Sequence, residues 1–431
     1  MPSRTPAVPV AIVGAGACGL SAAIFLRRRG VDCVLLERDA TCMGSTALSS
    51  GFIPAAGTRV QRAAGVADSA EDFADDIQAK AHGTAAAPLV RAYTQAIAPA
   101  LDALQDEGLQ FELLDGFLYP GHRVRRMHTL AQRTGAALVG ALATAAAARG
   151  AMLMTNALVR ELWCDDTRVI GVGMQRPDGT LEHLACTTLL LACNGFGGNR
   201  ALVDELLPEM RDAVYAGHAG NDGSAIVWAR ELGLQLADLG CYQGHGSWAV
   251  PQGALMSWAL MMEGGVQVNR HGQRFHDETR GYSEAAVQVL AQPGSVAWNV
   301  FDDRLLALGR SFPDFVDAEA AGAVRHAADG AALAALIGCE AHVLERTLAA
   351  TRLSAPYHAV KVSGALFHTQ GGIHIDATCR ALRADATPHP NLLAAGGAAR
   401  GVSGNAVWGY LSGNGLLSAV AGGWIAAQGL S

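Results

Sequence analysis

A chain of 431 residues, half of them apolar and only 16% charged, supplies enough core for two domains or one large domain with an insertion. A formal net charge of -7 without a dense Lys/Arg cluster argues against a nucleic-acid partner. Nine cysteines stand singly, with no C-x-x-C and no Cys/His cluster, which argues against a metal centre and fits free thiols in a reducing cytoplasm. The first apolar run opens at Val8, so no signal peptide is expected, and the Ala-rich stretch 135–149 is too short and mild to span a membrane.

Residues 8–13 read as a buried strand, followed by the turn Gly14-Ala15-Gly16-Ala17-Cys18-Gly19, a helix over 20–29, a second apolar run 33–36 and then Glu37. Strand, Gly-rich turn, helix, strand and acid in that order is the layout of a dinucleotide-binding βαβ unit, the alternative being a Gly-rich turn in an ordinary α/β fold. Gly14 permits the turn, Gly16 admits a pyrophosphate close to the backbone, and Gly19 lets the helix pack on the strand. Phosphates would sit on the free N–H groups of the helix's first turn, and Glu37 would accept from ribose hydroxyls.

The stretch 42–51 is small and hydroxyl-rich, suited to wrapping a cofactor. Helices are expected over 70–107 and 129–149, strands at 151–155 and 157–162, and a meander over 169–174 and 181–185. An apolar strand at 188–193 ends in the Gly-rich run 194–199. From about residue 240 the character changes: Trp248, Trp258, Met261 and Met262 cluster before a polar hairpin at 266–275, and mixed helices follow. An apolar run at 392–395, Gly396-Gly397 and a final helix over 416–428 return to the earlier character. The fold expected is α/β: a nucleotide-binding domain in two parts, 1–239 and 346–431, with an inserted domain at 240–345.

Several motifs converge in order: the unit 14–37, the loop 44–51, Leu191-Ala192-Cys193-Asn194-Gly195-Phe196-Gly197-Gly198-Asn199, Asn221-Asp222-Gly223, and Ser412-Gly413-Asn414-Gly415-Leu416. Together they resemble the flavoprotein family of soluble fumarate reductases, which includes tricarballylate dehydrogenases and 3-ketosteroid dehydrogenases. The resemblance implies a Rossmann-like FAD-binding domain with an inserted α+β capping domain, and hydride transfer at flavin N5 to or from a C–C bond beside a carboxylate or ketone. It assigns to FAD Gly14, Gly16, Ala17, Cys18, Gly19, Glu37, Arg38, Gly44, Ser45, Thr46, Ser50, Gly51, Leu158, Val159, Cys193, Asn194, Gly195, Asn221, Asp222, Gly396, Gly397, Ser412, Asn414, Gly415 and Leu416. Attachment is expected to be non-covalent, since residues 47–51 hold no His or Cys where relatives carry a flavin link.

The resemblance also places site residues. Gln243-Gly244-His245 matches the family's first substrate His, and His368-Thr369-Gln370-Gly371-Gly372 the second. Arg274-Phe275-His276-Asp277-Glu278-Thr279-Arg280 resembles the segment whose last Arg is the proton donor, so the cap is expected to bring Arg280 over the flavin ring. Residues 294–298 with Phe301-Asp302 look like the tricarballylate branch.

Three departures stand against this. Tyr410 occupies the place of a carboxylate-clamping Arg, and a phenol cannot replace a guanidinium fork. With the Asn414 N–H it resembles the ketone-holding pair of ketosteroid dehydrogenases. Trp258 and Met261 stand at the proton-relay positions, and Gly397 replaces a Glu. Arg280 either moves the proton or only binds, in which case Tyr282 or His245 moves it; alternatively Arg280 pairs with Glu278 or Glu284 on the surface. The substrate expected is a small unsaturated or saturated acid or ketone, and with no NAD(P)H motif visible a separate electron carrier is expected. A disulfide reductase lacks its Cys pair here and a flavin monooxygenase its Gly-Asp; a non-catalytic FAD-containing protein stays open.

Overall fold

The computed structural model describes residues 5–116 and 118–430. In chain order its principal elements are β1 (Ala7–Val13), α1 (Ala17–Arg28), β2 (Cys33–Leu36), α2 (Ala70–Lys80), α3 (Ala87–Asp106), α4 (Gly135–Ala148), β3 (Met152–Met154), β4 (Leu158–Cys164), β5 (Val169–Gln175) and β6 (Leu181–Leu191). They continue with β7 (Tyr242–Ala249), β8 (Val266–Val268), α5 (Tyr282–Leu290), β9 (Val296–Asp302), α6 (Pro313–Ala320), β10 (Tyr357–Thr369), β11 (Arg380–Leu382), β12 (Pro388–Ala394) and α7 (Asn414–Gln428).

The first sheet runs β11-β12-β6-β1-β2-β3, with β4 and β5 continuing from β6 as an antiparallel meander. β1 lies parallel to both neighbours, Val13 opposite Leu36 on one side and Leu191 on the other. Its last four residues and all of β2 are buried, because α1 packs on these strands and α4 and α7 pack on α1. A parallel sheet with covered faces selects such unbroken apolar runs. The expected βαβ start and the return of the C-terminal chain, β12 parallel to β6, are both present.

The second sheet is built on β10, which pairs with β7, with β9 and with short strands at Val214–Tyr215 and Arg325–Ala327. Beneath it Val268, Val300, Phe301, Phe315 and Val360 are fully buried. These pairings bear on where the second unit ends. Residue 346 falls inside a helix, Ala341–Ala349, and β10 pairs with β9 over seven residues, from Val296 opposite Ser363 to Asp302 opposite Tyr357. We therefore propose that the second unit runs from Tyr242 to Thr369, and that the chain rejoins the nucleotide sheet only at β11. The chain enters and leaves this unit at one place, since Tyr242 is paired with Thr369 and Gln243 with His368. Among the described residues no helix is long and apolar enough to cross a membrane.

Candidate active site

Between the two units lies a cleft whose lining runs from the β1–α1 turn at Gly14 to Tyr282 and Phe367.

At one end is the β1–α1 turn. Gly14 N–H donates to Leu36 O at 2.8 Å, Ala15 N–H to Glu37 Oε2 at 2.9 Å, and Ala17 N–H to Thr46 Oγ1 at 3.0 Å. Among the described residues the Gly16 and Cys18 N–H groups at the helix start have no acceptor, which suits them to a pyrophosphate. Glu37 is 6% exposed, lines the cleft, and also accepts from the Asp39 N–H at 3.1 Å. Each of its oxygens retains a lone pair for ribose hydroxyls. Gly19 does not touch the cleft; it lies behind the turn, where a Cβ would stand 1.9 Å from Gly14 O.

Arg38 donates to Gly220 O at 3.0 Å and faces Asp222 at 3.4 Å, while Asn221 Nδ2 donates to Ser45 Oγ at 2.7 Å. These bonds gather the 44–51 loop, the 218–222 loop and the turn around one groove. Gly44, Ser45, Thr46, Ser50, Gly51, Leu158, Val159, Cys193, Asn194, Gly396, Gly397, Ser412, Gly415 and Leu416 all line it. The groove therefore fits a dinucleotide, whose phosphates would meet the α1 turn and whose adenosine would lie toward Glu37 and Arg38.

Gly195 and Asn414 lie outside the lining. Gly195 backs onto Thr369, whose Oγ1 a Cβ would meet at 1.9 Å. Asn414 is buried; its N–H donates to Leu411 O at 3.0 Å and its Nδ2 to Ser403 Oγ at 2.8 Å. The Asn414 N–H expected for a substrate ketone is thus engaged within its own loop.

The other end is lined mostly from the second sheet and its helices. Tyr410 Oη donates to Gln243 Oε1 at 3.1 Å. The Tyr282 hydroxyl interacts with Ser412 and Tyr410, whose ring stands edge-on to it at 6.1 Å. Burial pushes both phenols far up, so both stay protonated donors at neutral pH. His245 stacks on Tyr282 at 4.9 Å and its Nδ1 accepts the Ser247 N–H at 3.1 Å, which leaves the proton on Nε2. Burial lowers His245 to about 3 and His368 to about 4, so neither carries charge at neutral pH. His368 Nδ1 is held by the Gln370 amide at 3.1 Å.

Arg280 is not at this end. Its side chain is 79% exposed and turns to Asp277 at 3.9 Å, outside the cleft. The surface alternative also fails in its partners: Glu278 is buried, paired with Arg274 and accepting the Gln267 N–H at 2.8 Å, and Glu284 pairs with Lys80. Trp258, where a relay acid was sought, presents its ring to the cleft and donates Nε1–H to Glu278 O at 3.1 Å, while Met261 is core. Among the described residues Arg38, at the adenosine end, is the one Arg or Lys lining the whole cleft.

Sequence reasoning missed Tyr119, Phe312, Asp314 and Phe367, all of which line the substrate end. Asp314 accepts a hydrogen bond from Ser50 Oγ at 3.1 Å, and burial raises its pKa. Following Pro313 in the first turn of α6, it reads in sequence as an ordinary helix-start acid. Tyr119 lies in a loop and carried no signal.

Similarity to known proteins agrees with this geometry. The chain is 27% identical over 420 residues to an NADH:fumarate oxidoreductase of Klebsiella pneumoniae, covering 92% of this chain and 45% of that one. It is 27% identical over 447 residues to a probable fumarate reductase of Shewanella frigidimarina, covering 99% and 75%. The chain thus spans less than half of the first relative's length. The open conformation of a flavocytochrome c3 fumarate reductase superposes with a TM-score of 0.84 at 25% identity, over 99% of this chain and 78% of that one. A 3-ketosteroid-Δ4-(5α)-dehydrogenase from Rhodococcus jostii shares the fold, with a TM-score of 0.79 at 23% identity over 99% and 98%. The family described as FAD binding domain matches residues 9–416, nearly the whole length, and the chain belongs to that family.

Proposed function

We propose that the protein is an FAD-dependent oxidoreductase acting on a C–C bond beside a ketone, and that its substrate is neutral and largely apolar rather than a dicarboxylate. The observation that carries this is the substrate end itself: buried phenols and neutral imidazoles, no Arg or Lys among the described residues, and the acid Asp314. Desolvating two carboxylates there without a cation would cost several kcal/mol. A ketone needs only donors at its oxygen.

Bound FAD supplies the hydride donor or acceptor. Tyr410 turns its hydroxyl hydrogen from Gln243 to the substrate oxygen, where negative charge gathers as the C–C bond is reduced or oxidised. Tyr282 moves the proton at the carbon next to the carbonyl, with Ser412 and Tyr410 as its hydroxyl neighbours. Because its burial keeps the phenol protonated, Tyr282 is ready as a donor in the reducing direction. Trp258, Phe312 and Phe367 exclude water and give the apolar body of the substrate its surface.

The test is anaerobic. Reduced holoenzyme mixed with a cyclic conjugated ketone should regain its oxidised flavin absorbance, and fumarate should leave it bleached. Reoxidation by fumarate alone would overturn the reading, and reoxidation by neither would leave a binding protein. Electrons are proposed to come from a separate carrier, and the nine free thiols support a reducing, cytoplasmic setting.

Non-covalent attachment has its own readout: acid precipitation of the protein should leave a yellow supernatant, whereas a yellow pellet would show a covalent link.

A further inference from the structure

We propose that Lys80, which lies outside the cleft, is a positioning residue that holds Tyr282 in the cleft and keeps Arg280 out of it. The proposal rests on Tyr282 being the proton-moving hydroxyl.

Lys80 is the last residue of α2, a helix of the nucleotide-binding unit, yet its ammonium reaches the second unit twice. It donates to Arg280 O at 2.8 Å and pairs with the Glu284 carboxylate. The two side chains are only 12% and 20% exposed, so one buried charge pins both ends of the five residues from Arg280 to Glu284. Between them the chain reverses its aim. Arg280 stands in solvent, while Tyr282 is 7% exposed and faces the cleft.

The reversal is made at Gly281, with φ +138, a backbone open to glycine and strained for other residues. A Cβ there would meet Glu284 Oε2 at 2.7 Å and Lys80 Nζ at 3.3 Å, so turn and clamp are fitted to each other. Ser283 Oγ then donates to Gly244 O at 3.2 Å and ties the start of α5 to β7. Loss of the Lys80 bonds frees the carbonyl before the turn and the carboxylate after it, and the Tyr282 hydroxyl loses its fixed place beside Tyr410 and Ser412.

The experiment is a double-mutant cycle. Removing one partner alone strands a buried charge, so the main variant is Lys80→Met with Glu284→Met. It should retain FAD, lower kcat by about 10- to 100-fold, as misplacement of a reacting group does, and change KM little. In a Tyr282→Phe background the same pair should add almost nothing, because the group it positions is gone. Lys80→Arg, which keeps both kinds of contact, should return most of kcat. Glu284→Gln, a milder change, should give a smaller loss, again only when Tyr282 is present. Unchanged kcat in the Met/Met variant beside an inactive Tyr282→Phe would overturn the proposal, as would an equal loss in both backgrounds. Full activity of Tyr282→Phe would instead show that the reading of Tyr282 has failed, and this proposal with it.

Discussion

Tyr282→Phe should hold FAD as the parent does and turn over about 10²–10⁴ times more slowly, the range lost when a positioned proton-transfer group is removed. The ring is buried, and His245 at 4.9 Å and Trp258 at 6.3 Å pack against it, so losing one oxygen leaves the packing intact. The defect should lie in kcat with KM little changed, because the hydroxyl acts in the transition state more than on the bound ketone. Tyr410→Phe should differ in kind: it removes the donor aimed at the carbonyl oxygen and should lower kcat/KM with ketones most strongly. Flavin absorbance per mole of protein and steady-state kinetics check both. Normal turnover by Tyr282→Phe would move the proton elsewhere in the cleft.

The second large effect is on the cofactor. Gly19→Ala should yield protein without flavin, because its Cβ would fall 1.9 Å from Gly14 O and 3.2 Å from Ile12 Cγ2. Neither neighbour can yield. Gly14 is fixed by its bond to Leu36 O and by its own φ of +102, and Ile12 is fully buried in the central strand. The only relief is to lift α1 from the turn, which removes the Gly16 and Cys18 N–H groups from the phosphates. Gly140→Ala, in α4 where a Cβ meets nothing within 4 Å, is the control. It should keep its flavin and gain about 0.5–1 kcal/mol from helix propensity. Absorbance spectra and thermal melts of the two variants decide the matter.

What was legible in the sequence is what short-range chemistry determines. The βαβ start places its turn, helix, second strand and acid within one short span, and the bonds that fix Glu37 and Thr46 run to that same turn. The end proposed for the second unit was not legible. β10 is assigned there on its pairings with β9, distant in sequence, and its own residues read equally well as a strand of either sheet. Arg280 shows the same limit at the site. Its motif resembles the family segment, yet its side chain stands in solvent and its carbonyl is held by Lys80, 200 residues earlier. Asn414 was placed by its spacing from Tyr410, which carries no information about the Leu411 carbonyl that takes its N–H.

The paired crossing of the chain at Tyr242 and Thr369 has a mechanical consequence. Two strands side by side, with Gln370 N–H bonded to Cys241 O at 2.8 Å, make a strap that bends along one line and resists twisting. Gln243 and His368 lie on that strap. Away from it the two units are also held together, by Ser50 Oγ donating to Asp314 and by Lys80 bonded to Arg280 O and Glu284. Any rotation about the strap must break those bonds first, so the cleft is latched at its rim and not at its carbonyl-facing wall.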